Sequence, residues 1–161
     1  MQKITPFLWF DGQAEEAANF YVSIFKNSRV LTVTRYSDGA PGTKGTVMTA
    51  SFELDGQPFT ALNGGPNFRF TEAISFVIHC DSQQEIDYYW ERLREGTNEP
   101  GQCGWLKDKY GLSWQVVPRE LSQLLTGDPA RSRRVMQALM AMTKLDLPEL
   151  KRAYEEEVAV S

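Results

Sequence analysis

One imidazole and two thiols bound the metal, redox and nucleophilic chemistry open to this chain of 161 residues. A divalent cation acting as a Lewis acid needs about three donors of imidazole, carboxylate or thiolate type. His79, Glu53 and Cys103 are the donors one would try to assemble, and they lie on separate segments with no local spacing to join them. HExxH, P-loop, GxSxG and paired CxxC signatures are absent. A Ser-His-Asp relay would have to recruit His79, and no nucleophile elbow accompanies it. At a strand end His79 reads as a surface or capping residue. Cys80 and Cys103 are too few for a disulfide framework and read as buried thiols.

Aromatic side chains carry more information. Phe7, Trp9 and Trp105, with Phe68 and Phe70, could line an apolar cavity or fill the core of a sheet, and the pattern alone leaves both open. A net charge of -4 with a pI near 5.1 argues against nucleic acid or an anionic membrane, both of which attract concentrated Lys and Arg. The expected partner is a small molecule. No apolar run reaches the roughly 18 residues of a membrane span. Met1 to Pro6 lead into a strand pattern without a signal-peptide core, so a cytoplasmic protein is expected. Arg131, Arg133 and Arg134, and the run Glu155, Glu156, Glu157, read as solvated helix faces.

The elements that must position these residues follow from periodicity. "KITPFLWF" (3–10) is rich in strand formers and stops at Asp11-Gly12. Ala14, Ala17, Ala18, Tyr21 and Phe25 then fall on one helical face. "SRVLTVTRY" and "GTVMTASFEL" alternate as strands, Asp55-Gly56 is a two-residue hairpin turn, and "QPFTALN" completes a βαβββ order over 3–63. The order begins again over 73–117. "AISFVIHC" is a strand, Ile86, Tyr89, Trp90 and Leu93 form a helical stripe ended by Gly96, and "CGWLK" and "LSWQVV" flank the Asp108-Lys109-Tyr110-Gly111 turn. D-x-Q-x-E recurs at Asp11 and Asp81, where Asp is expected to cap each helix. Residues 118–161 read as helices, with Asp128-Pro129 and Asp146/Glu149 as starts, and with Met136, Leu139, Met140 and Met142 as core filler. The whole is expected to be one α+β domain, 1–161, with a helical extension.

"ITPFLWFDGQAEEAANFY", "TALNGGPNFRFTEAISF" and "CGWLKDKYGLSWQVVP" closely resemble the PhnB-like family of the vicinal oxygen chelate (glyoxalase/bleomycin-resistance) superfamily, members of which bear the label 3-demethylubiquinone-9 3-methyltransferase domain. The resemblance implies paired βαβββ modules forming a curved mixed sheet with a site on its concave face, and a homodimer. It also implies four ligand positions on the first and last strands of each module. Alignment on Asp81 brings one to Ser75, its counterpart is Thr5, and the last hairpin puts Gln115 where the pattern has a carboxylate. The fourth falls on Thr60, or on Asn63 if the register slips. None of these side chains is an imidazole, carboxylate or thiolate, so no metal and no cofactor are expected. Methyl transfer lacks support too: "NGGPNF" follows a hairpin strand, whereas the common glycine-rich cofactor loop follows a parallel strand. A metal-free protein that binds or sequesters a small ligand is therefore expected, with Thr5, Phe7, Trp9, Thr60, Asn63, Ser75, His79, Trp105 and Gln115 around it. The alternative is an enzyme of the lyase, isomerase or dioxygenase type acting on a small polar substrate.

Overall fold

Strand β1 (Phe7–Phe10) begins later than its strand-forming run, because Pro6 has no N–H to give to a ladder. The Pro6 carbonyl instead accepts from the Thr60 amide at 3.0 Å, and Thr5 lies outside the strand, exposed. The computed structural model, which describes residues 2–156, continues with α1 (Ala14–Ile24), β2 (Arg29–Arg35), β3 (Val47–Leu54) and β4 (Gln57–Asn63). After these come β5 (Ser75–Cys80), α2 (Gln83–Leu93), β6 (Trp105–Lys107) and β7 (Ser113–Pro118), then α3 (Leu121–Thr126), α4 (Pro129–Met140) and α5 (Leu147–Glu155). The α+β fold and the helical extension are as expected. Two compact units result, one ending at Phe70 and one starting at Thr71.

In the first unit the sheet runs β1-β4-β3-β2, with β1 parallel to β4 and the other pairs antiparallel. The Asp55-Gly56 turn has φ of 49° and 79°, the two left-handed residues that a tight hairpin requires. One sheet face is apolar: Leu8, Phe10, Ala50, Phe52, Leu54, Phe59 and Ala61 are buried. Against it lie Ala14, Ala17, Ala18, Tyr21 and Ile24 of α1, and Phe25 caps the helix C-terminus. Tyr21 stacks on Phe52 and Phe52 on Phe59, with centroids 6.2 and 5.4 Å apart.

The second unit repeats this plan with a three-stranded mixed sheet, β5-β7-β6, again with its first strand parallel to its last. It lacks a counterpart of β2 among the described residues. The intervening segment, 94–104, contains Gly96, Pro100, Gly101 and Gly104 and makes only one isolated bridge, Gln102 to Trp105. Such a composition cannot sustain a ladder. Helix α2 covers the apolar face with Ile86, Trp90 and Leu93, while Tyr89 is half-buried.

Helix starts correct the expectation at both repeats, since Gln13, not Asp11, holds the N-cap position of α1 and makes no side-chain capping bond. Ser82, not Asp81, caps α2: its extended backbone lets Oγ accept from the Glu85 amide, while the Glu85 carboxylate accepts from the Asp81 amide and Asp81 pairs with Arg119. In α1 the capping acceptor comes from far along the chain, since Asn63 Oδ1 takes the Ala14 amide at 2.8 Å. Asp128 and Asp146 cap α4 and α5 as expected. The extension packs on the end of β7 through Val117, Val135, Leu139, Leu145 and Leu150. Val135 and Leu139 set the helix phase, so Met136 and Met140 turn outward, 43% and 58% exposed, instead of filling the core. Arg134 is not merely solvated, because its guanidinium donates to the Ala153 and Tyr154 carbonyls near the C-terminal end of α5. Glu155 and Glu156 are exposed, and Glu157 lies outside the described residues.

Burial pushes the Cys80 thiol up to about 12, with the Glu85 and Asp81 carboxylates adding to the effect. The raised value means that Cys80 contributes fully below the ordinary thiol range, and that this contribution is lost as pH climbs from that range through about 12. At pH 8 the Cys80 thiol therefore stays protonated. Alkylation at pH 8 with mass readout should therefore label the half-buried Cys103 first. Cys80 should react only in denaturant, and equal labelling of both in the folded protein would contradict the burial described.

Candidate functional site

In the second unit the strand register sorts the candidate residues into rows. Ser75, Ser113 and Lys107 are direct neighbours across β5, β7 and β6, and so are Val77, Gln115 and Trp105. Direct cross-strand neighbours project to the same side of a sheet. This side is open: Val77 and Trp105 are 42% and 38% exposed, and Gln115 Nε2 donates to Ser75 Oγ at 2.9 Å. His79 follows on the same side of β5, opposite Val117, and is exposed. The other side carries Phe76, Trp114, Val116 and Leu106 toward α2, and Val116, Trp114 and Leu106 are buried.

The hairpin that delivers Gln115 is held by a buried carboxylate. Asp108 is 3% exposed, and its Oδ1 accepts from the Tyr110 and Leu112 amides at 2.9 and 3.1 Å while Oδ2 accepts from the Trp114 indole at 2.9 Å. The bond to Trp114 fixes which residues of β7 turn inward, so Ser113 and Gln115 must turn out. Glu72, just before β5, forms an ion pair with Lys107. The Lys107 ammonium, as donor and neighbouring charge, holds the Glu72 carboxyl below its ordinary range, and the Glu72 carboxylate holds Lys107 above its own. The pair therefore stands through neutral pH, breaking in acid as Glu72 protonates and in strong alkali as Lys107 loses its proton.

The first unit resolves the register between Thr60 and Asn63. Thr60 is the direct partner of Phe7, just as Gln115 is of Val77. Thr60 is thus the counterpart of Gln115, and it lies half-buried beside Ser51. Asn63 projects to the helix side, where Oδ1 takes the Ala14 amide and Nδ2 donates to the Val47 carbonyl. Phe7 is 59% exposed. Trp9 is pinned: its indole donates to the Gly65 carbonyl at 2.8 Å, Phe68 meets it edge-on at 4.8 Å, and a Cβ on Gly64 would lie 2.4 Å from its ring. Phe70 packs edge-on against Phe10. Glu53 pairs with Arg29 at 3.4 Å. Sequence reasoning passed over Ser113 and Lys107, although alternation from Gln115 and Trp105 was the signal that could have found them.

Neither cofactor suggested by the resemblance fits. Ligand positions occupied by three hydroxyls and one amide lack strong donors, and among the described residues no three His, Cys, Asp or Glu side chains gather where a metal could sit. The Gly64-Gly65 turn serves Trp9 and opens no helix, so it does not fit a methyl donor that a glycine-rich turn would cradle at a helix start. No helix among the described residues is long and apolar enough to cross a membrane.

Residues 2–117 match the family model described as 3-demethylubiquinone-9 3-methyltransferase. Among solved structures the chain is similar to a PhnB protein of Bacillus cereus, 40% identical over 73% of this chain and 99% of that one, with a TM-score of 0.64. A Pseudomonas aeruginosa protein is similar in fold, 21% identical over 72% of this chain and 96% of that one, with a TM-score of 0.57. A glyoxylase/bleomycin resistance protein/dioxygenase domain from Frankia sp. EAN1pec gives 13% identity over 72% and 90%, with a TM-score of 0.45. No curated protein matches the chain.

Replacing Asp108 with Ala leaves two amides and an indole N–H without their acceptor inside the hairpin, and should cost about 3 kcal/mol of stability. Asp108→Asn keeps one carbonyl oxygen and should lose about half as much. Chemical denaturation measures both, and an Asp108→Ala protein as stable as the parent would contradict this bracing role.

Proposed function

Because this chain belongs to the PhnB-like 3-demethylubiquinone-9 3-methyltransferase family, whose name does not fix its chemistry, we propose that it binds or sequesters a small organic ligand without a metal. The observation that carries the reading is the Gln115–Ser75 hydrogen bond on the open sheet face beside Trp105. With one N–H given to Ser75, the Gln115 amide keeps a carbonyl oxygen and a second N–H, and Ser75 keeps its own hydroxyl proton. Together they can read a carbonyl, hydroxyl or amide while the Trp105 ring supplies apolar contact. The exposed His79 belongs to the same reading as a further ligand contact, and within the first unit Thr60, Phe7 and Thr5 are proposed as ligand contacts in their own right.

An amide and hydroxyls cannot act as a general base near neutral pH. The enzyme reading is kept alive by one observation, that His79 is exposed on the same side of β5 as Ser75. Turnover of any small polar compound, abolished by His79→Gln with binding retained, would favour it.

Elemental analysis of protein purified without chelator should give metal well below one equivalent. Stoichiometric metal lost on Gln115→Ala would overturn the metal-free reading. A ligand found by thermal-shift screening should bind the Gln115→Ala protein about tenfold more weakly, the effect of one lost hydrogen bond. Equal affinities would remove Gln115 from the site.

The reading includes a homodimer. Each unit leaves large apolar side chains exposed, Ile4, Phe7 and Phe68 in the first and Ile74 and Val77 in the second, more than a small monomer usually presents singly. Light scattering at micromolar concentration should give twice the chain mass of 18.3 kDa, and a monomer there would refute it.

A further inference from the structure

The open side of the first sheet is built of hydroxyls. By the strand register Thr32, Ser51, Thr60 and Phe7 are direct neighbours across β2, β3, β4 and β1, and the adjoining row is Thr34, Thr49, Leu62 and Trp9. All project away from α1, because the alternate residues Ala50, Phe52, Phe59 and Ala61 are the buried ones. In the second row the hydroxyls answer each other, Thr34 Oγ1 and Thr49 Oγ1 lying 2.6 Å apart. In the first row nothing answers them. The Thr32, Ser51 and Thr60 hydroxyls have no hydrogen-bond partner among the described residues, and none of the three oxygens is sealed from solvent. Thr32 is exposed, and Ser51 and Thr60 are half-buried.

Three such groups in line, one per strand at the roughly 4.8 Å strand spacing, form a strip about 10 Å long. Each hydroxyl can give one hydrogen bond and accept two, so the strip suits a molecule that repeats the same kind of group. A ligand offering only acceptors or only donors would leave much of that capacity unused. An ion gains little. The four strands hold three charged residues, of which Arg29 and Glu53 pair with each other and Arg35 donates to the Gly45 carbonyl. Stripping water from a charged ligand would therefore go uncompensated. At the β1 end of the strip stands Phe7, 59% exposed, an apolar wall beside Thr60.

We propose that this strip binds a neutral glycoside, with its sugar hydroxyls on Thr32, Ser51 and Thr60 and its apolar aglycone against Phe7. The proposal rests on the reading of the chain as a binder of small organic ligands. It adds a site made of first-unit residues alone and the class of molecule that the site takes. A hydroxyl-rich ring edge meets hydroxyls, and an apolar group meets an exposed phenyl ring, so each half of the ligand has its own complement.

Three probes separate the parts: phenyl β-D-glucopyranoside carries sugar and ring, phenol keeps the ring alone, and phenyl β-D-glucuronide exchanges a hydroxymethyl for a carboxylate. Titration of the whole isotope-labelled protein, followed by amide chemical shifts, reads affinity and place together. The glucoside should bind most tightly and shift the amides of Thr32, Ser51 and Thr60, with phenol and the glucuronide several-fold weaker. Ser51→Ala should weaken the glucoside several-fold, the effect of one lost hydrogen bond, while leaving phenol binding and the melting temperature unchanged. Thr60→Val, which keeps the shape of the side chain, should do the same. Phenol as tight as the glucoside, a glucuronide as tight or tighter, unchanged glucoside affinity in both variants, shifts confined to other strands, or no glucoside binding at millimolar concentration would each overturn the proposal. Gln115→Ala separates it from the wider reading. Glucoside affinity kept in Gln115→Ala and reduced in Ser51→Ala supports the first-unit site, even if no screened ligand depends on Gln115. The reverse pattern rejects this site and leaves the Gln115 reading standing.

Discussion

A buried carboxylate governs which side chains the second sheet turns toward its open face. Asp108 sits within the β6–β7 hairpin, its two oxygens answered by two amides and the Trp114 indole. An ionised group so enclosed is tolerable only with such donors around it, and the donors can reach it only when the turn closes in one way. Closure in that way draws Trp114 under the sheet. The residues on either side of it, Ser113 and Gln115, then have one direction left.

The two faces of each sheet divide the work. Helix α1 in one unit and α2 in the other cover an apolar face, and there the large, nearly inaccessible side chains gather: Tyr21, Phe52 and Ile24, then Ile86, Leu93 and Val116. Burial on that side supplies most of the favourable free energy. The opposite face is relieved of that duty. It can carry hydroxyls, an amide and a half-exposed indole, groups that would weaken a core but can recognise a ligand. At the end of β7 this freedom stops, since Val117, two residues beyond Gln115, is already under Leu145, Leu150 and the other apolar side chains of the extension. Gln83 secures that cover by bonding the Leu145 carbonyl and the Leu147 amide at once.

The two units share a strand register but not the side chains it carries. Both units pair their first strand in parallel with their last, and by that register Thr60 matches Gln115. The amide of Asn63, at the end of β4, is committed to starting α1 and holding Val47. Aromatic rings beside it are similarly committed. Gly64 exists as glycine because the Trp9 ring lies where a Cβ would go, and Gly101 stands in the same relation to Trp90.

Hydrophobic period and turn chemistry are local, so the strand and helix order, the Asp55-Gly56 hairpin and the caps at Asp128 and Asp146 were legible in the sequence. The resemblance of three segments added the family and the positions of Ser75 and Gln115. Local reading failed wherever a distant group competed for the same atoms. Asp81 looked like a cap until Arg119 took its carboxylate, and Asn63 looked available until its register set it over the first amide of α1. Met136 and Met140 looked like core until the phase of α4 was set by Val135 and Leu139 against β7. Ser113 drew no notice as one small polar residue in a strand. Its burial, with no partner for its hydroxyl among the described residues, arises only when its neighbours are brought beside it, because such properties belong to neighbours in space, which sequence order does not carry.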